Sequence, residues 1–185
     1  MNTNYFKHIK NIFLKITNSK LVITAFIIIC LCQNALPSVL PKQKSYYELS
    51  AEILVNFIKL VEWSTNEEKK ICIIENDPIM SYLKNMIKDK KNLILIQKYE
   101  NDFLDECSVL YVGDNYEGYL NRLISRVKNK PILSISGQKN FAENNGIVQF
   151  LLRNNRVEFI INKKQMKLST LKIDNLILQN SEIIQ

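Results

Sequence analysis

Two apolar runs near the C-terminus, Ile147–Arg153 and Arg156–Asn162, are separated only by Asn154-Asn155, and this restricts the fold more than any other feature. Asparagine tolerates positive φ, and a two-residue type I′ hairpin turn demands positive φ at both central positions. With that turn Arg153 opposes Arg156, and the alternation of side chains along a strand sorts every residue onto a face. Val148, Phe150 and Leu152 share one face with Val157, Phe159 and Ile161. That face is wholly apolar and is expected to be buried. The other face carries Ile147, Gln149, Leu151, Glu158, Ile160 and Asn162 and is mixed. Asn162 ends the second strand and starts a short helix through Met166 and Leu168. Asp174 then caps a last helix with the stripe Leu176, Ile177, Asn180, Ile183 and Ile184.

Upstream, apolar segments alternate with helical ones: Ile71–Ile74, helix Pro78–Lys88, Leu93–Gln97, Val109–Val112, helix Tyr116–Lys128 and Ile132–Ile135. Strand–helix–strand alternation implies parallel pairing through right-handed crossovers. Ser45 and Glu48 form a capping box that opens an earlier helix, read as running to about Trp63, with Tyr46, Leu49, Ile53, Phe57, Leu60 and Val61 as its buried stripe. The expected fold is α/β: a three-layer sandwich with a mixed, mostly parallel sheet of about six strands that ends in the C-terminal antiparallel hairpin.

The chain has 185 residues with only 4 Gly and 4 Pro, which suits one globular domain able to bury roughly 70% of its unfolded surface. Its formal charge of +7 is concentrated at one end. Residues 1–35 hold Lys7, Lys10, Lys15 and Lys20 and no acid, which leaves 21 basic against 18 acidic residues in the remainder. A balance of +3, with no basic stripe interleaved with aromatics, gives no case for nucleic acid. The basic leader and the apolar run Leu21–Cys32 read as a signal peptide over residues 1–35. A retained anchor extended through Leu40 is the alternative. Residues 36–44 read as a linker and residues 45–185 as the exported domain.

Removing the leader removes His8, the sole histidine. A domain without histidine cannot use a Ser/His or Cys/His nucleophile and lacks the commonest metal ligand. No catalytic residues, metal or cofactor are therefore expected. Of four cysteines only Cys72 and Cys107 remain, each at the beginning of a strand. With the third strand beside the first the two would be level, and neighbouring strands about 4.8 Å apart are within reach of a disulfide. Export supplies the oxidising compartment. Polar residues that follow strands, notably Asp77 and Asp114, would gather at the carboxyl edge of the sheet, where open α/β folds bind ligands. Asp77-Pro78 is equally an ordinary helix cap. Trp63, the only tryptophan, reads as a core anchor, with ligand stacking as the alternative.

Several segments together resemble the YfiR-like family of small periplasmic proteins. They are Asn56–Trp63 (NFIKLVEW), Cys72–Pro78 (CIIENDP), Cys107–Val112 (CSVLYV), Ile132–Ser136 (ILSIS), Asn140-Phe141-Ala142, and the hairpin from Gly146 that closes on Phe159-Ile160-Ile161-Asn162. The departures are Ser64 where the family usually has Pro, and Glu75 and Asn145 where it tends to have Gly. The resemblance implies a regulator that restrains an inner-membrane diguanylate cyclase by protein–protein contact, and an outer-membrane lipoprotein that sequesters the restrainer. A homodimer is a further expectation. The mixed hairpin face (Ile147, Gln149, Leu151, Glu158 and Ile160) is the expected partner surface. The alternative is a periplasmic small-molecule sensor that uses Trp63, Asp77 and Asp114. An enzyme relying on those carboxylates is the weakest reading.

Overall fold

The structure, a computed structural model, describes residues 44–185 apart from Asn115, Glu117, Asn154 and Asn155. The leader, residues 36–43 of the linker and the Asn154-Asn155 turn lie outside the described residues. Ser45 opens helix α1, Tyr46–Ile58, its hydroxyl accepting the Glu48 N–H at 3.2 Å. Strands β1 (Val61–Glu62) and β2 (Lys69–Ile74) follow, then helix α2 (Ile79–Ile87), β3 (Leu93–Lys98), β4 (Val109–Tyr111), helix α3 (Leu120–Val127) and β5 (Leu133–Ser136). The hairpin strands are β6 (Val148–Arg153) and β7 (Arg156–Asn162), and the chain continues through α4 (Lys163–Leu168), β8 (Lys172–Ile173), α5 (Asn175–Gln179) and β9 (Glu182–Ile184).

Seven strands form one sheet in the order β3-β2-β4-β5-β6-β7-β9, parallel from β3 through β6, antiparallel in the hairpin and parallel again between β7 and β9. The hairpin register is the expected one, with Arg153 opposite Arg156 and Phe150 opposite Phe159. Alternation along the central strands divides the core. Ile71, Ile73, Val109, Tyr111, Leu133 and Ile135 pack with α1 and α2 on one face. Cys72, Ile74, Leu110 and Val112 pack with α3 on the other, which completes three layers.

Cys72 and Cys107 are joined in a disulfide within the α3-side core, their Cα atoms 5.8 Å apart. They are not level, since Cys72 pairs in register with Leu110. Cys107 precedes β4, in a turn closed by its N–H on the Leu104 carbonyl at 3.0 Å, and that turn brings it alongside β2. Nearby, Lys98 and Lys70 hold the Glu106 carboxyl down to about 2 through hydrogen bonds and charge.

Three helices are shorter than the periodicity predicts: the one expected over Tyr116–Lys128 runs only over Leu120–Val127, and the first and the last both stop early. The first stops at Ile58, because the Trp63 indole N–H takes the Ile58 carbonyl at 2.9 Å and Val61–Glu62 pair antiparallel with Lys172–Ile173. The expected terminal helix ends at Gln179, where the Asn180 amide and the Ser181 hydroxyl occupy the Leu176 and Ile177 carbonyls. The β-branched Ile183 and Ile184 then form an edge strand. Open backbone groups along β7 reward a strand there, which a further helical turn could not do.

Candidate functional site

The hairpin's two faces differ from their expected burial in an ordered way. At its base Val148, Phe150 and Ile161 are fully buried beneath α1, with the Phe159 ring 5.1 Å from that of Phe57. Leu152 and Phe159 are half-buried and Val157 is exposed, so the apolar face is buried only as far as the helices reach. On the opposite face Gln149, Ile160 and Asn162 are buried, and Ile147 belongs to the α1-side core. Gln149 and Asn162 serve the segment before the hairpin: Gln149 Oε1 accepts the Ala142 N–H at 3.2 Å, and Asn162 Nδ2 donates to the Ala142 carbonyl at 2.8 Å. Asn162 Oδ1 also caps α4 through the Gln165 N–H at 2.9 Å. These polar side chains satisfy buried backbone groups that would otherwise lack partners.

Leu151 and Glu158, paired across the strands, lie within reach of another molecule at the outer end of that face, next to the exposed Arg153–Arg156 pair. Leu151 is half-buried, while Glu158 is exposed and lies 3.5 Å from Arg153. An exposed ion pair of this kind contributes at most about 1 kcal/mol to stability, so Glu158 can be exchanged without unfolding the domain.

At the carboxyl edge the structure brings Asp77 and Asp114 near each other, beside Tyr46 and Tyr111. Asp77 is only 4% exposed, and its Oδ1 accepts the Ile79 N–H at 2.9 Å as the cap of α2. Gly113 is required beside it, because a Cβ there would stand 1.8 Å from Asp77 Oδ2. Asp114 is exposed and accepts the Tyr46 hydroxyl at 2.5 Å, which ties the first turn of α1 to the end of β4. Burial first, then the hydrogen bond and charge of Asp114, push the Tyr46 phenol up. Burial and Asp77 do the same for Tyr111. Both phenols stay protonated, and that of Tyr46 donates to Asp114. This contact can orient polar groups and clamp the helix. In the sequence Tyr46 is a plain member of the buried stripe, and the one signal of its role is its terminal hydroxyl.

Burial, with a further contribution from the Asp114 charge, raises the Asp77 carboxyl above its ordinary value, partly offset by the Ile79 N–H. A folded state that holds this proton more tightly than the unfolded state loses stability as pH rises through the raised value. Below the unfolded value the group makes no difference. Asp77→Asn keeps the cap acceptor and abolishes the ionisation. It is therefore expected to raise the urea midpoint at pH 7 and to leave it unchanged near about pH 3, below the ordinary carboxylate range.

Trp63 lies elsewhere, at the amino edge of the sheet, so the structure does not join it to Asp77 and Asp114. Its ring is half-buried and its N–H is committed to Ile58, the arrangement of an anchor at a helix end. It also lines a cleft of about 320 Å³ with Lys69 and Lys90. Among the described residues no cluster of His, Cys, Asp and Glu has metal-binding geometry.

A disulfide-braced three-layer α/β domain, offering a hairpin end and a strand-edge group of acids and phenols, is a scaffold for recognition. The chain belongs to the YfiR/HmsC-like family, whose sequence model matches residues 47–182, well over half of its length. The family's members are regulators. No helix among the described residues is long and apolar enough to cross a membrane. The crystal structure of a conserved domain protein from Vibrio cholerae O1 biovar El Tor str. N16961 is similar, with a TM-score of 0.58 at 12% identity. The match covers 76% of this chain and 60% of that one, so this chain spans about three fifths of the other's length. At that identity the likeness shows the fold alone. No curated protein matches the sequence.

Proposed function

We propose that this protein restrains an inner-membrane signalling protein of the diguanylate cyclase type by direct contact, using the outer end of the β6–β7 hairpin. The observation that carries this reading is the Leu151–Glu158 pair, which stays accessible beside the exposed Arg153–Arg156 pair, whereas Gln149, Ile160 and Asn162 further down the same face are buried. An aliphatic group beside a carboxylate suits a protein contact, in which burial supplies affinity and the charge supplies discrimination. Gln149 and Ile160, the buried pair next to it along the strands, and Ile147 belong to the same proposed surface. An outer-membrane lipoprotein that competes for the protein, and a homodimer, belong to the same proposal. So do export by cleavage of residues 1–35 and the alternative of a retained anchor.

The test is affinity capture from membranes with the protein as bait. Leu151→Arg and Glu158→Lys are each expected to lower recovery of the membrane partner at least tenfold while the thermal transition is kept. Loss of the transition in Leu151→Arg would make Leu151 a core residue and move the contact surface elsewhere.

A further inference from the structure

The cleft at the amino ends of β2 and β3 contains a buried charge that no carboxylate of the described residues pairs. Lys69 is 8% exposed, and its ammonium donates to the carbonyls of Thr65 and Glu67, each at 2.8 Å. It also stands 5.4 Å from the centroid of the Trp63 ring. Carbonyl dipoles and a ring quadrupole orient an ammonium, but neither carries the opposing charge. Among the described residues no carboxylate pairs with Lys69. An ammonium has three donors, and two are used on carbonyls. Burying a cation is costly unless it is paired.

The surroundings add positive charge. Lys59 and Lys90 line the same cleft, one bonded to the Asn56 side-chain oxygen and the other to the Met86 carbonyl, and among the described residues no carboxylate pairs with either. Glu67 is the single acid among the lining residues. Val55, Ile58, Val61 and Leu93 supply apolar lining. A cleft of about 320 Å³ lies at the small end of the range that holds a ligand.

We infer that this cleft binds a small amphipathic anion, with its carboxylate against Lys69 and a short aliphatic tail against Val55, Ile58 and Leu93. The site lies at the other edge of the sheet from the hairpin end and does not depend on the partner contact proposed there. The structure supplies a reporter as well, since Trp63 is the only tryptophan in the chain and lines the cleft.

The full chain is titrated with octanoate while Trp63 emission is followed, with octanol, octylammonium, acetate and inorganic phosphate as comparison probes. The expected result is a saturable change with octanoate, at least tenfold tighter than with any of the other four. Lys69→Met is expected to weaken octanoate tenfold or more. Should Lys69→Met lose its thermal transition, the rim variant Lys59→Ala/Lys90→Ala decides, with an expected weakening of about threefold or more. The proposal is overturned by octanol binding as well as octanoate, which would mark a merely apolar crevice. It is equally overturned by acetate or phosphate matching octanoate, by no saturable change up to about 10 mM, or by unchanged affinity in the folded lysine variants.

Discussion

Replacing the bridge, as Cys72→Ala with Cys107→Ala, is expected to lower the stability of the domain by about 3–4 kcal/mol. The two cysteines are 35 residues apart, and the loop they close contains α2 and β3. In the chain-entropy account, a loop of that size excludes many conformations from the unfolded chain and few from the folded one. The bridge also ties central strand β2 to the entry of β4, the point from which the sheet grows toward the hairpin. Both sulfurs are buried in the α3-side core, so the alanines lose some packing in addition. Guanidinium melts of the oxidised wild type and the double variant measure the difference, and a fall in melting temperature of roughly 10 °C should accompany it. A change below about 1 kcal/mol would mean that the cross-link hardly constrains the unfolded chain.

A still larger effect is expected one residue to the side of the partner surface. Phe150→Arg should abolish the folded state, whereas Leu151→Arg should leave it intact. Phe150 is 1% exposed and belongs to the α1-side core, opposite Phe159, whose ring meets Phe57. An arginine there loses the aromatic packing, a loss of about 3–5 kcal/mol for such a residue, and must bury a charge with no partner, which costs several more. The sum equals or exceeds the stability of an ordinary domain. Phe159→Arg, from a half-buried position, should be severely destabilising by the same route, to a smaller extent. Circular dichroism and thermal melts of the adjacent pair test the register directly. A folded Phe150→Arg would mean that the two faces of the hairpin are exchanged.

Much of this protein is legible in its sequence because periodicity and turn chemistry are local. The hairpin register follows from two apolar runs and the spacer between them, and that pattern alone places Phe150 and Leu151 on opposite faces. The alternation of strands and helices announces a largely parallel sheet, and two cysteines at strand starts, in a domain expected to be exported, announce their pairing. Even the departures from the family pattern have a backbone reason. Glu75 and Asn145, where the resemblance leads one to expect glycine, adopt φ of 59° and 71°, the left-handed region that glycine enters without penalty.

Where the local pattern misleads, a distant partner overrides a local preference. Val61–Glu62 continue a helical stripe in sequence, but Lys172–Ile173 offer them a strand to pair with. Ile183 and Ile184 complete a helical stripe too, yet the open edge of β7 captures them. Gln149 and Asn162 look like members of a solvated face, and are buried because Ala142 needs both a donor and an acceptor there. Lys69 looks like a surface residue at a strand end, and the folding of Trp63 across that end encloses its charge. By itself, then, the sequence determined which segments are apolar, which residues share a face of a strand and which cysteines are available to join. Only the tertiary structure decided where that face is covered by the protein's own chain and where it is left for another molecule. Coverage depends on what other segments bring to the site, and no local pattern of residues encodes it.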